Sequence, residues 1–190
     1  MTTLTLELYM FLKNCSIMRK IYIYILFMVF NNTYSQTGRQ AWTAVINQDS
    51  IEVKKWLSKK VSVDTSFWQD RTLLHLSVLA EKKQMAKWLL EKGANVNKQD
   101  ADGMTPLLWA VSKGDIDLVL LLLSYQPNFK LVNHRGESVL HLAAIHKHIS
   151  LIKLLLKNGA DKSIRDKYDL QPIDYAFDPD IRGLLWIENK

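Results

Sequence analysis

Short motifs recur along this chain at a constant spacing of 33 residues, and that period constrains the fold more than any other feature. Four-residue segments that begin at Thr72, Thr105, Ser138 and Gln171 align without insertion or deletion. A small residue and a leucine pair recur at the same spacing, at Ser77, Ala110, Ala143 and Ala176 and at Leu89-Leu90, Leu122-Leu123 and Leu155-Leu156. Such a chain is expected to consist of stacked units that share one continuous core.

Local signals within each unit predict two helices and a turn. Thr105 can cap a helix with its hydroxyl, and Pro106 suits the first helical position. Gly93 and Gly159 stand where a helix end would favour a positive φ. Residues 116–123 are apolar on nearly every side, which predicts a helix enclosed between neighbouring units.

The motif and its landmarks resemble the ankyrin repeat over residues 37–188. The resemblance implies an all-α solenoid of helix–turn–helix units joined by short β-hairpin turns. Five units follow, at about 37–66, 67–99, 100–132, 133–165 and 166–190, with the first and last as caps.

The resemblance also implies roles for the motif residues, which are Thr72, His75, Thr105, Pro106, Ser138, His141, Gly93 and Gly159. The imidazoles of His75 and His141 are expected to hydrogen-bond the motif hydroxyl and the neighbouring backbone. The chain departs from the family pattern at Leu108, which replaces a motif histidine, and at Glu81 and Lys147, which replace glycine between the two helices.

The first 35 residues are expected to lie outside the repeats. A basic segment at residues 18–20 precedes ten apolar residues at 21–30 and a polar stretch that ends at Ser35. This order predicts a secretory signal peptide, cleaved after Ser35, behind an over-extended start at residues 1–17. Ten helical residues span only about 15 Å, half of a bilayer core, so stable membrane insertion is not expected. The alternative is a buried N-terminal helix or strand.

A cleaved chain of residues 36–190 would be periplasmic or secreted, and the full pattern is similar to exported bacterial members of the ankyrin family. The alternative is an uncleaved cytoplasmic protein. The formal net charge is +6, but no run of five basic residues occurs, so a nucleic-acid partner is not expected. The single cysteine, Cys15, excludes an intrachain disulfide and a cysteine-based zinc site.

No pattern in the chain predicts enzyme chemistry, and neither a cofactor nor a metal is expected. Nucleophile and phosphate-binding motifs are absent from the sequence. His146 and His148 lie two residues apart in a predicted turn without a nearby acidic residue, which is a poor metal site. A metal-dependent hydrolase that uses surface histidines is the enzymatic alternative.

The resemblance implies that a partner protein is bound by the concave side, which consists of the hairpin tips and the exposed face of the first helices. The candidate residues are Trp68, Gln69, Arg71, Met104, Lys113, His134, Arg135, Glu137, Ile145 and Tyr168. Met104 and Arg135 are expected to be exposed near the centre, while Trp68 could instead pack down onto its hairpin. The predicted function is a monomeric, non-enzymatic adaptor, scaffold or inhibitor. An immunity-type protein that neutralises an exported toxin or enzyme is the alternative.

Overall fold

The computed structural model describes residue 40 and residues 43–47, 51–54 and 62–186. All but the first of these belong to one compact unit of residues 41–190. The predicted signal peptide, its cleavage position and much of the first repeat unit lie outside the described residues.

Helices, turns and irregular connections make up the described part of the chain, in which no residue has strand conformation. Residues 43–46 and 51–54 are helical. The helices that follow are α1 Leu73–Leu79, α2 Lys83–Glu91, α3 Pro106–Lys113, α4 Ile116–Leu123, α5 Val139–Ile145, α6 Ile149–Lys157 and α7 Pro179–Leu185, with 3-10 turns at Trp68–Asp70 and Pro172–Tyr175. The expected all-α repeat solenoid is confirmed.

The helices form two layers that run through successive units. First helices pack side by side, α1 on α3 and α3 on α5, while α2 packs on α4 in the second layer. The core between the layers has the sequence period, because leucines with essentially no exposure recur at 33-residue steps: Leu74, Leu107 and Leu140, and Leu89, Leu122 and Leu155. Each unit therefore buries its apolar face only against its neighbours.

Short-range signals set where the helices begin and end. The Thr72 and Thr105 hydroxyls accept hydrogen bonds from the backbone N–H groups of His75 and Leu108, which caps α1 and α3. In unit three the turn between the helices uses Gly114, at φ 76°. Glu81 and Lys147 adopt the same left-handed conformation without glycine's freedom, at φ 57° and 59°.

Burial of α4 is less complete than the sequence suggests. Leu118, Val119 and Leu122 are fully buried, but Ile116 and Leu120 are 45% and 48% exposed. The helix packs against the neighbouring α2, as expected, but the expectation that it would not lie at the surface is wrong, because its outer face, with Ile116 and Leu120, is exposed. None of the described helices is long and apolar enough to cross a membrane.

Candidate binding surface

The hairpin turns of units three, four and five are each closed by one buried polar side chain. Asp100 Oδ1 accepts hydrogen bonds from the backbone N–H groups of Asp102 and Met104, both at 2.9 Å. Asn133 and Asp166 do the same in the next two units. These side-chain acceptors satisfy turn N–H groups that have no helical partner. Sequence reasoning missed all three, although an Asp or Asn at 33-residue spacing was available as a signal.

The second oxygen of each turn aspartate binds an aromatic side chain nine residues later. The Trp109 indole N–H donates to Asp100 Oδ2 at 2.9 Å, and the Tyr175 hydroxyl donates to Asp166 Oδ2 at 2.5 Å. Burial opposes ionisation of Asp100, but the hydrogen bonds it accepts outweigh burial and hold its pKa below the usual value. The hydrogen bond to Asp166, together with burial, raises the pKa of Tyr175 to about 12.

Backbone hydrogen bonds join the four turns into one line. The N–H groups of Ala101, His134 and Lys167 donate to the carbonyl oxygens of the preceding turns, at Gln69, Asp102 and Arg135, over 2.9–3.0 Å. We call residues 67–71, 100–104, 133–137 and 166–170 the hairpin ridge.

The turns approach so closely that the third and fourth units need glycine. A Cβ on Gly103 would lie 2.7 Å from His134 Cδ2, and one on Gly136 would lie 2.8 Å from Lys167 N. Both glycines also have positive φ angles. The tips of the ridge therefore form a continuous surface rather than separate protrusions.

Most of the predicted binding residues lie on this ridge or at the ends of the first helices. Trp68 and Tyr168 are 71% and 64% exposed. The alternative in which Trp68 packs down onto its hairpin is wrong. Gln69, His134, Arg135, Lys113 and Ile145 are exposed as well.

Two of the predicted binding residues are buried. Met104 and Glu137 are each only 6% exposed, so the expectation of an exposed Met104 is wrong. Each directly follows the turn glycine, where the chain passes from the exposed turn into the buried start of the next helix. The Glu137 carboxylate accepts hydrogen bonds from Asn133 Nδ2 at 2.6 Å and Arg135 Nε at 3.2 Å. These two residues support the surface instead of forming it.

Arg71 is half-buried and holds the exposed tryptophan in place. Its guanidinium carbon lies 5.6 Å from the Trp68 ring centroid and 5.2 Å from that of Trp109. Its Nε atom lies 3.3 Å from Asp100 Oδ2, and its Nη2 atom lies 3.7 Å from Asp102 Oδ2. A cation between two rings, itself fixed by a carboxylate with little solvent access, restricts the indole of Trp68 before any partner arrives.

The histidines contact neighbouring units. Nε2 of His75 and Nε2 of His141 lie 3.1 Å and 3.0 Å from the carbonyl oxygens of Met104 and Leu170. The rings of His146 and His148 stack with centroids 5.8 Å apart. Within the described residues, no group of three or more His, Cys, Asp or Glu side chains is placed to hold a metal ion.

Comparison with known proteins agrees with this architecture. A family model described as ankyrin repeats (3 copies) matches residues 13–100 and 96–166. The first match includes residues 13–35, most of the predicted leader. The chain is 39% identical over 106 residues to an ankyrin repeat protein of fowlpox virus, which covers 56% of this chain and 74% of that protein.

Two further relatives are cellular proteins. The chain is 31% identical over 139 residues to the probable 26S proteasome regulatory subunit p28 of Saccharomyces cerevisiae, covering 70% of this chain and 61% of that protein. It is 33% identical over 104 residues to NF-kappa-B inhibitor alpha of Sus scrofa, covering 50% and 32%. The chain thus spans less than two thirds of both proteins.

Proposed function

The chain belongs to the ankyrin repeat family, whose repeats mediate protein–protein interaction and are typically non-enzymatic, and from this premise we propose that it is a non-enzymatic module that binds a partner protein. The partner lies against the hairpin ridge and the exposed ends of α1, α3 and α5. The module changes no covalent bond of its partner and needs no cofactor, metal or nucleic acid.

The observation that carries this proposal is the exposure of two aromatic side chains, each in contact with a neighbouring cation. Trp68 lies against Arg71, and the Lys167 ammonium lies 5.2 Å from the Tyr168 ring centroid. Every buried side-chain nitrogen and oxygen of the described residues has a hydrogen-bond partner, so the fold uses its polar groups internally. Large aromatic side chains left outside such a fold are typical anchors of a protein interface.

Alanine substitutions on the ridge test the proposal. Trp68→Ala or Tyr168→Ala is expected to weaken binding to a partner captured from native cells at least tenfold, about 1.4 kcal/mol. Lys87→Glu and Lys153→Glu, which change exposed residues of α2 and α6, are the matched controls and should leave the dissociation constant within about twofold. Isothermal titration calorimetry measures both, and circular dichroism checks the fold. Loss of binding in the controls alone would place the interface on the outer helices.

An immunity-type role, in which the same surface blocks an exported toxin or enzyme, is the second candidate. It is favoured by the relative that is named as an inhibitor of NF-kappa-B. Adding the purified chain to its captured partner separates the two roles. Stoichiometric loss of the partner's activity indicates an inhibitor, and unchanged activity indicates a scaffold.

We also propose that the chain is exported and acts as a monomer in the periplasm or outside the cell. The basic, apolar and polar order of residues 18–35 supports export. Mass spectrometry of the native protein should find an N-terminus within two residues of Gln36. An intact terminus would contradict cleavage and would favour the cytoplasm.

A further inference from the structure

The two ends of the hairpin ridge differ in charge. At the end formed by units two and three, Asp70 is exposed and the Asp102 side chain is 61% exposed. The cation among them, Arg71, is shared between Asp102 and the buried Asp100. This end therefore has more carboxylates than cations.

The end formed by units four and five lacks this excess of carboxylates, because each of its carboxylates has a partner of its own. Arg135 binds Glu137 through Nη2 at 3.1 Å, and Arg165 binds Asp169 at 3.4 Å. Asp166 is occupied by Tyr175 and by the turn N–H groups.

Lys167 is the cation of this end that is not paired with a carboxylate. Within the described residues, no carboxylate lies within 4.0 Å of its ammonium, which lies instead over the Tyr168 ring. The exposed His134 sits on the preceding turn of the same end. The fifth-unit tip thus presents a cation that the protein does not neutralise, beside an exposed aromatic ring.

The length of the ridge defines how large a ligand could contact both ends. Neighbouring helices pack about 10 Å apart, so three steps between four turns cover about 30 Å. An extended chain covers that distance with about nine residues at about 3.3 Å each. Trp68 lies at one end of this span and Tyr168 at the other.

We infer that the hairpin ridge takes an extended segment of the partner protein, basic at the end over unit two and acidic at the end over unit five. The segment's amines approach Asp70 and Asp102, its carboxylates approach Lys167, and apolar side chains contact the rings of Trp68 and Tyr168. The inference rests on the proposed function and adds the charge order of the bound segment. Because both charged ends lie at a solvent-exposed surface, the order acts mainly on specificity.

Four fluorescent peptides of 12 residues test the charge order against the full chain. One has a basic block followed by an acidic block, one has the same composition with alternating charges, one is basic throughout and one is acidic throughout. Fluorescence anisotropy at low ionic strength should show the block peptide binding at least about threefold tighter than the alternating peptide. Added salt should remove that preference.

Reversal of one charge should change the ranking. Lys167→Glu makes both ends acidic, so the block peptide should lose about threefold in affinity and the wholly basic peptide should become the tightest ligand. Lys153→Glu makes the same change in charge on α6 and should leave the order of the four peptides unaltered. Circular dichroism confirms that both variants fold.

Equal affinities for the block and alternating peptides, or no binding of any peptide, would overturn the inference. Trp68→Ala and Tyr168→Ala can still weaken binding of the captured partner when the peptides show no preference. The ridge then binds protein without discriminating charge order, and the proposed function stands. If those variants also bind normally, the part of the proposed function that places the interface on the ridge fails as well.

Discussion

The junctions between successive units are built in two ways. Between units two and three, and between units four and five, a buried histidine bridges from the start of one first helix to the next hairpin turn. Between units three and four the same position holds Leu108, which is fully buried and makes no such bridge.

In the histidine junctions, one ring nitrogen accepts a hydrogen bond from its own unit and the other donates one to the next unit. His75 Nδ1 accepts the backbone N–H of Thr72 at 3.2 Å, so the ring proton sits on Nε2 and is donated to the Met104 carbonyl at 3.1 Å. His141 repeats the arrangement with Ser138 and Leu170. In both junctions the histidine ring thus ties the cap of one unit to the turn of the next.

The leucine junction has further polar contacts at the opposite end of the first helix, in addition to those between the hairpin turns. His146 Nε2 lies 3.1 Å from Ser112 Oγ, and the ring of His148 lies against Gly114. The comparison teaches that a repeat position accepts either a polar or an apolar side chain if its surroundings are satisfied. The Leu108 side chain needs only burial, whereas the His75 side chain needs partners on both ring nitrogens.

The largest expected effect is at the leucine junction. Leu108→Ala removes a fully buried side chain and should lower the free energy of unfolding by about 2–5 kcal/mol. Urea denaturation followed by circular dichroism measures the loss. Leu120→Ala, at a half-exposed leucine of α4, is the control and should lose clearly less. Equal losses would mean that Leu108 does not hold this junction together.

Removing the bridge at a histidine junction should have the next largest effect. His75→Leu imitates the leucine junction but leaves the Thr72 N–H without its acceptor and the Met104 carbonyl without one of its donors. The expected loss is about 1–3 kcal/mol, measured by the same denaturation experiment. His141→Leu should behave alike. An unchanged midpoint in both variants would show that apolar contacts alone suffice at every junction.

The contact of His148 with Gly114 should give a smaller effect. A Cβ on Gly114 would lie 2.6 Å from His148 Cε1, so Gly114→Ala has to displace the ring in addition to straining a positive φ. Gly93→Ala has the same backbone strain, about 1–2 kcal/mol, with nothing within 4 Å of the new Cβ. Only Gly114→Ala should move the NMR signals of His146 and His148. Identical spectra would contradict the contact.

The smallest effect concerns pH. Burial lowers the pKa of His75, so the unfolded chain binds a proton more readily than the folded one. Stability should therefore be complete above about pH 6.5 and fall as the pH drops below it, by at most about 1.4 kcal/mol per pH unit for this group.

The His75→Leu variant isolates that contribution. Its unfolding free energy, measured at pH 7, 6 and 5, should fall less steeply than that of the unmodified chain. Some dependence should remain, because burial and the neighbouring His148 also lower the pKa of His146. The turn aspartate Asp100 does not interfere, because the stability that its carboxylate contributes is lost only as the pH falls towards its usual pKa of 3.8 and below. Equal slopes in the two proteins would refute the assignment to His75.

The sequence by itself determined the number and order of the elements within the described units. Helix caps, turn glycines and the leucine period depend on residues within a few positions of one another, and these recur every 33 residues. Thr105, Pro106 and Gly114 mark the ends of α3 without reference to any other part of the molecule. The turn residues Asp100, Asn133 and Asp166 were predictable by the same logic.

Only the tertiary structure decided which side chains of the ridge face outward. Met104 and Glu137 lie in the same turns as exposed residues, and sequence spacing does not say which of them the next unit covers. The support of Trp68 by Arg71 also depends on Trp109, a residue of another unit. Exposure is a property of what lies against a side chain, and in a stacked array that neighbour comes from about 33 residues away.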